Sequence, residues 1–391
     1  MSNRLPPIPI TGFAVCNALG STRDAVRDAL RAGRSGLGPS PIPVPFPTAV
    51  GAVDAELPEL PNVLAAWSTR TARLAQLLLL QLGPALEKLR ARVRPERIAV
   101  LLGTSTAGAD VTEQAYRYYA EHSKLPEDYD LWRHHTYGAL LHVVSALAGA
   151  SGPAWVTSTA CTASAKPFAT AQRLIAADLI DAAVVGGIDT LCSMTLRGFF
   201  SLDSLSRGAC RPFSSERDGI SIGEGGALLV LQRGGDALAL LEATGESSDA
   251  YHASAPHPEG LGARAAMERA IAQAGCQPRD IDHVNAHGTG TKLNDIAEAK
   301  AISGLLGDEV PVVSTKGYTG HMLGGAGATE AAFALYALAE GWLPPSLGAD
   351  PRDPQIGLNI PTSLATGRYR RVLSNSFAFG GNNVSVLLRS V

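Results

Sequence analysis

The chain has 391 residues, enough for one large or two medium domains with full cores. Apolar residues make up 46% and charged residues 18%, the balance of an ordinary globular protein. A formal charge of −3 leaves no basic field for nucleic acid or an anionic membrane surface.

Residues 1–20 carry Pro6, Pro7 and Pro9 and no long apolar stretch, so they read as a first strand rather than a signal peptide. That strand is Pro9 to Val15. Ser21 then caps a helix reaching Leu30, which Gly33 and Gly36 stop. Pro39 to Pro47 alternates prolines with other residues, the pattern of an extended covering loop. Thr69 to Arg92 is helical in pattern, with a break or kink expected at Gly83-Pro84. The apolar run Leu77 to Leu80 is too short to span a bilayer, and no membrane insertion is expected.

Arg97 to Gly103 is a second buried strand. The region 111–149 holds five of the nine tyrosines, with Trp132, His134 and His135. These aromatics fill a core or an interface, or wall a substrate channel.

The most informative stretch follows. A β-prone run, Ala154 to Thr157, leads into a small-residue turn holding Cys161, and then into an Ala-rich helical pattern from Ala163 to Ala177. Strand, tight turn and helix, with a reactive side chain at the turn, is the layout of a nucleophile elbow. A thiol at a helix N-terminus is favoured as thiolate, so a lowered pKa is expected. A buried cysteine in the same place can also be inert packing. The five cysteines, at 16, 161, 192, 210 and 276, are odd in number and lack C-x-x-C spacing. That pattern excludes a disulfide scaffold and a zinc site, and points to a reducing cytoplasm.

Asp181 to Gly187 and Ala227 to Leu231 are further strands, and Gly234-Gly235 marks the boundary between two halves. The second half alternates again: strand 237–244, helix 261–274, strand 281–286, helix 295–306 and strand 310–314. A Gly/Ala-rich helix then runs to Glu340, and strands 372–376 and 384–388 close the chain. Alternation in both halves indicates a layered α/β fold. No internal repeat is visible in the residues. Neither a Walker lysine motif nor a G-x-G-x-x-G frame appears, so no nucleotide cofactor is expected.

His287 and His321 each fall just past the end of a strand and beside glycines, at the sheet edge where α/β sites form. With Cys161 they complete a pattern, and the chain resembles the β-ketoacyl-[acyl-carrier-protein] synthases of the elongating I/II type. These are the condensing enzymes of fatty-acid and polyketide synthesis. The motifs that carry the resemblance are Thr159-Ala160-Cys161, Gly186-Gly187, Arg211-Pro212-Phe213 with Arg217-Asp218-Gly219, and His287-Gly288-Thr289-Gly290-Thr291. Lys316-Gly317-Tyr318-Thr319-Gly320-His321 and Asn375 to Gly381 complete the set.

The resemblance implies a thiolase-like α/β fold: two similar halves, 1–235 with the cysteine and 236–391 with the histidines, in αβαβα layers. It implies an acyl group held on Cys161 and an oxyanion held by the N–H groups of Cys161 and Phe379. His287 and His321 would be N–H donors to an enolate, with Lys316 in the same catalytic set. Thr289, Thr291, Phe379, Phe199 and Glu330 are the implied substrate-side residues. The threonines would meet the pantetheine arm, Phe379 would gate the acyl pocket with Phe199 as its counterpart, and Glu330 would brace the site with Lys316. Asp295 reads as a cap for the next helix.

The implied partners are acyl- and malonyl-loaded carrier protein, and a second copy or a related ketosynthase-like chain. No metal or cofactor is implied. Asn382 stands where a threonine is usual and Lys292 where a proline is common, while Pro167 should kink the elbow helix. These departures lean toward a specialised synthase, such as one of aryl-polyene type. A chain-length-factor partner would lack the nucleophile. A thiolase would need a second cysteine near the C-terminus. A thiol-dependent acyl hydrolase would need a positioned water.

Overall fold

The computed structural model describes residues 4–391. Ten strands form the main sheet: β1 (Ile8–Asn17), β2 (Ile98–Gly103), β3 (Ala154–Thr157), β4 (Ala182–Asp189), β5 (Gly225–Gln232), β6 (Ala239–Ser248), β7 (His283–Asn285), β8 (Val312–Val313), β9 (Arg371–Phe377) and β10 (Asn382–Arg389). Their order across the sheet is β8-β7-β9-β10-β6-β1-β5-β4-β2-β3.

That order contains a repeat. In the first half β1 pairs antiparallel with β5, β5 antiparallel with β4, β4 parallel with β2, and β2 parallel with β3. In the second half β6, β10, β9, β7 and β8 follow the same sequence of directions. The halves join through a short antiparallel contact, Ile8–Ile10 against Ala239–Leu241. The changeover falls between Gln232 and Ala239.

The α-helices longer than four residues are α1 (Arg23–Arg31), α2 (Arg70–Arg90), α3 (Ala109–His122), α4 (Tyr137–Ala148), α5 (Lys166–Ala176), α6 (Ser193–Ser201), α7 (Leu261–Ala274), α8 (Lys292–Leu306) and α9 (Ala326–Glu340). α9 is buried along Ala326 to Ala337 and touches strands of both halves. A helix apolar on all sides belongs inside, and its alanines let the strands of both halves approach. With α5 it forms the middle layer, where Ile10, Leu101, Phe168, Val185, Ala331 and Val384 share one core. α2 and α4 cover the outer face of the first half. α7 and α8 cover the second. The result is the five-layered thiolase-like αβαβα arrangement.

Several local expectations shift. Thr22, not Ser21, caps α1, accepting the Ala25 N–H at 3.2 Å. α2 runs through Pro84 as one helix. Its surface position leaves the unpaired Leu80 carbonyl within reach of water. Pro167 lies in the first turn of α5, where its missing N–H has no helical partner to lose. The elbow helix therefore has no interior proline, and the expected kink is withdrawn.

Candidate active site

Cys161 sits in the turn after β3. Ala160 takes a left-handed φ of 50°, and the chain reverses through Thr162 N–H to Thr159 O and Ala163 N–H to Ala160 O. Only small residues fit, because β2 ends directly beneath. A Cβ on Gly103 would lie 2.2 Å from the Ala163 carbonyl carbon. α5 begins at Lys166, so the sulfur stands five residues before the helix and not at its first position.

The thiol is therefore not the activated group that the sequence predicts. Burial pushes it up to about 11, against the pull of the Lys316 charge and of the Phe379 and Cys161 N–H groups.

Two histidines face it. His287 follows β7; its own N–H and that of Gly288 donate to the two carboxylate oxygens of Glu298 on α8, at 2.8 and 2.7 Å. His321 is held by backbone bonds to the 221–223 segment, its N–H to Ser221 O at 2.7 Å and its carbonyl from Gly223 N–H at 2.9 Å. The two rings are 5.2 Å apart and nearly perpendicular. One ligating atom from each histidine and the Cys161 sulfur all lie within 4.8 Å of one another.

The hydrogen bonds decide the tautomers. The Leu323 N–H donates to His321 Nδ1 at 3.1 Å, so the ring proton sits on Nε2. That Nε2 is buried and has no partner. The Lys316 Nζ lies 3.5 Å from His287 Nδ1, which likewise leaves the His287 proton on Nε2. Burial is the main cause that holds both imidazoles well below their ordinary pKa, and the Lys316 charge adds to it. Both rings are neutral N–H donors. The three side chains have the spacing of a metal site, but each Nε2 already carries hydrogen, and a metal ligand needs a free lone pair there. The chemistry of the site is donation of hydrogen bonds to an oxygen.

Lys316 is fully buried behind His287. It donates to the His287 carbonyl and forms an ion pair with Glu330 of α9. Glu330 does not reach the cavity; it stands behind Lys316, so its place with the substrate-side residues is corrected. A buried ammonium without such a partner would cost several kcal/mol, on the order of 3–5.

The site opens into a cavity of about 600 Å³, lined by Cys161, both histidines, Phe199, Phe379 and Thr289 among others. Thr291 also lines it, and the Thr289 and Thr291 hydroxyls are 2.9 Å apart. Phe199 and Phe379 face each other at 5.8 Å between ring centres. Arg207 and Lys292 stand among the lining residues.

Comparison with known proteins places this geometry. Residues 6–237 match the model of the beta-ketoacyl synthase N-terminal domain, and residues 238–350 that of the C-terminal domain. The chain belongs to the β-ketoacyl synthase family.

The "3-oxoacyl-[acyl-carrier-protein] synthase 2" of Mycobacterium bovis is 39% identical to this family member over 245 residues, 58% of this chain and 59% of the relative. The enzyme of that name from Staphylococcus aureus is 35% identical over 258 residues, covering 62% and 64%. The match thus spans about three-fifths of the curated relatives. Solved structures align over more. A ketosynthase from Xenorhabdus doucetiae, solved in complex with its chain length factor, has a TM-score of 0.92 at 39% identity, covering 99% of this chain and 98% of the other. A beta-ketoacyl synthase from Burkholderia phymatum has a TM-score of 0.90 at 27% identity, covering 99% and 100%.

Two carboxylates of this β-ketoacyl synthase family member escape sequence reasoning. Asp189, at the end of β4, accepts from Thr104 Oγ1, the Ser105, Thr106 and Gly325 N–H groups and Thr106 Oγ1 at 2.6–3.1 Å. It ties the end of β2 to the loop that follows His321. Glu298 holds the His287 backbone, and burial raises its pKa to about 7. Asp295 does not cap α8, whose N-cap residue is Thr291. It accepts the N–H groups of Phe213 and Gly290 across the site. The 111–149 aromatics do not line the cavity: Tyr116, Tyr119, Trp132 and Tyr137 are exposed. No helix among the described residues is long and apolar enough to cross a membrane.

Proposed function

We propose that the chain is a 3-oxoacyl-[acyl-carrier-protein] synthase. The observation that carries this reading is the convergence of Cys161 with two neutral, Nε2-protonated imidazoles at a cavity whose lining includes hydroxyls and phenyl rings.

In the first half-reaction Cys161 Sγ attacks the carbonyl carbon of an acyl thioester on the carrier protein. The developing oxyanion accepts the N–H groups of Cys161 and Phe379. Collapse expels the carrier's pantetheine sulfur, which takes up the proton that Cys161 gives up. A thiol proton is exchanged for a thiol proton, so a resting thiol with a high pKa is compatible with the step. In the second half-reaction malonyl-carrier protein enters along the Thr289 and Thr291 hydroxyls. Its thioester oxygen accepts the Nε2–H groups of His287 and His321. The bond to the carboxylate breaks, CO2 leaves, and the electron pair stays as an enolate on that oxygen. The enolate carbon then attacks the acyl-Cys161 carbonyl, and collapse of the oxyanion releases a 3-oxoacyl thioester and the Cys161 thiolate, which takes up a proton from water. Lys316 acts through His287, and Glu330 through Lys316.

The reaction class serves fatty-acid or polyketide synthesis in the cytoplasm. We favour polyketide synthesis of aryl-polyene type, on the departures at Lys292 and Asn382. The partner chain is a second copy or a related ketosynthase-like subunit. The likeness to a ketosynthase solved with its chain length factor favours the latter, with this chain as the active member.

Intact-mass analysis tests the assignment. Acyl-carrier protein should load one acyl group on Cys161, and Cys161→Ala should take none. Malonyl-carrier protein should then give a product two carbons longer. Release of free acid in its place would mean a thiol-dependent hydrolase.

A further inference from the structure

Residues 41–47 alternate strictly. Pro41, Pro43, Pro45 and Pro47 are exposed, while Ile42, Val44 and Phe46 are half-buried. Prolines remove the N–H groups that a strand ladder needs and fix φ, so the segment makes no ladder of its own; it bends at 41–42 and 45–46 and joins the antiparallel pair Leu37–Pro39 and Ala49–Gly51. Its inward side chains enter none of the main cores. They pack on a satellite cluster that includes Val50, Leu196, Leu205, Ile220 and Leu323.

That cluster is the back of the active-site wall. Leu205 and Ile220 belong to it and also line the cavity, as does Phe199, which packs against it. α6, which carries Phe199, is weakly anchored: of its nine residues only Leu196 is buried. Its end folds into the wall through Asp203 N–H to Phe200 O and Ser204 N–H to Phe199 O, both 3.0 Å. Phe46 lies flat against Phe200, with ring centres 3.9 Å apart and planes within 4°. Phe200 is itself exposed, and its link to the cavity is the chain: Phe199 is the preceding residue of α6, and its ring faces Phe379.

We propose that residues 41–47 form a strap that sets acyl-chain selectivity, with Phe46 as the positioning residue that fixes Phe199 through Phe200. The inference rests on the synthase reading above. A two-carbon acyl group on Cys161 ends near the sulfur. A longer chain must pass the Phe199 wall, and its fit depends on where the strap holds that wall.

The test measures kcat/KM for loading of Cys161 from acetyl- and octanoyl-carrier protein, for the unaltered chain and for Phe46→Ala, Phe46→Leu, Phe200→Ala and Phe46→Tyr. Loss of the ring stack should change the octanoyl-to-acetyl ratio by about three- to tenfold, the scale of one aromatic pair. Phe200→Ala should match Phe46→Ala, and Phe46→Tyr should restore the ratio. Malonyl decarboxylation should stay unchanged throughout. Phe46→Leu, which keeps an apolar contact without the stack, supplies the ratio if the alanine variant does not fold. An unchanged ratio, or an equal fall for both acyl groups, overturns the strap while leaving the synthase reading intact. Failure of the unaltered chain to load either acyl group overturns both.

Discussion

At the scale of single residues, the tautomers of two histidines decide the chemistry. A backbone N–H on His321 Nδ1 commits the opposite nitrogen to donation, and burial keeps the ring neutral. Replacing His321 by Ala removes one of two donors to the enolate oxygen, so decarboxylation should fall by about 10²–10³-fold. Loading of Cys161 does not use that donor and should remain measurable by intact mass. Normal decarboxylation by this variant would refute the role. The pH dependence follows from the same burial. A histidine held well below 6.5 does not charge as pH falls through 6.5, so decarboxylation by Cys161→Ala should show no inflection between about pH 5.5 and 7.5. The thiol moves the opposite way. Burial raises it to about 11, and the thiolate fraction grows tenfold per pH unit below that value. Alkylation of the free enzyme by iodoacetamide should climb steadily from neutral pH with no plateau near 8.5. An early plateau would show a thiol activated at rest.

At the scale of elements, much was legible because Cys161 and His287 stand just past strand ends, whereas His321 lies beyond a helical turn, Lys316–Thr319, that separates it from β8. The strand–turn–helix pattern around Cys161 and the glycines beside His287 mark those ends in the residues themselves. The first turn of α5 was not legible. Small residues from Ala160 to Ala165 fit a helix pattern as well as the tight turns they form, and only the close passage of β2 at Gly103 selects the turns. Pro167 was misread for the same reason: a helix start set three residues early turns a favourable first-turn proline into an interior one. Glu298 was invisible because nothing in the residues says that α8 lies against the loop carrying His287. Its carboxylate takes two buried N–H groups, and each left unpaired would cost about 1–3 kcal/mol. Glu298→Ala should therefore lower the unfolding free energy by several kcal/mol and depress decarboxylation with it. Glu298→Gln, which keeps one acceptor, should lose about half as much in a denaturant titration. Equal stability of all three proteins would remove Glu298 from the scaffold of the site.

At the scale of the whole molecule, the twofold strand pattern explains the division of labour: the first half presents the sulfur and the second half the imidazoles. The repeat left no trace in the residues because matching strands share only burial and direction. The halves differ at their free ends. β8 is a two-residue strand and fully buried. β3 is a four-residue strand, with Ala154 and Trp155 exposed along the outer side of the sheet. An unpaired, apolar edge is a template for another strand. Tyr116, Tyr119, Trp132 and Tyr137 are exposed elsewhere in the same half, on the segment whose aromatics the sequence left open as interface or channel. We expect the partner chain to pair on β3, beside the turn that carries Cys161, so that assembly and catalysis share one element. Trp155→Asp places a charge in the middle of that edge without touching the cavity. Light scattering after size exclusion should give twice the chain mass for the unaltered protein, or the mass of a heterodimer when a related subunit is present. The variant should give a single-chain mass. Because β3 positions Cys161, the monomeric variant should also load acyl groups more slowly. A variant that stays dimeric with full loading would place the interface elsewhere.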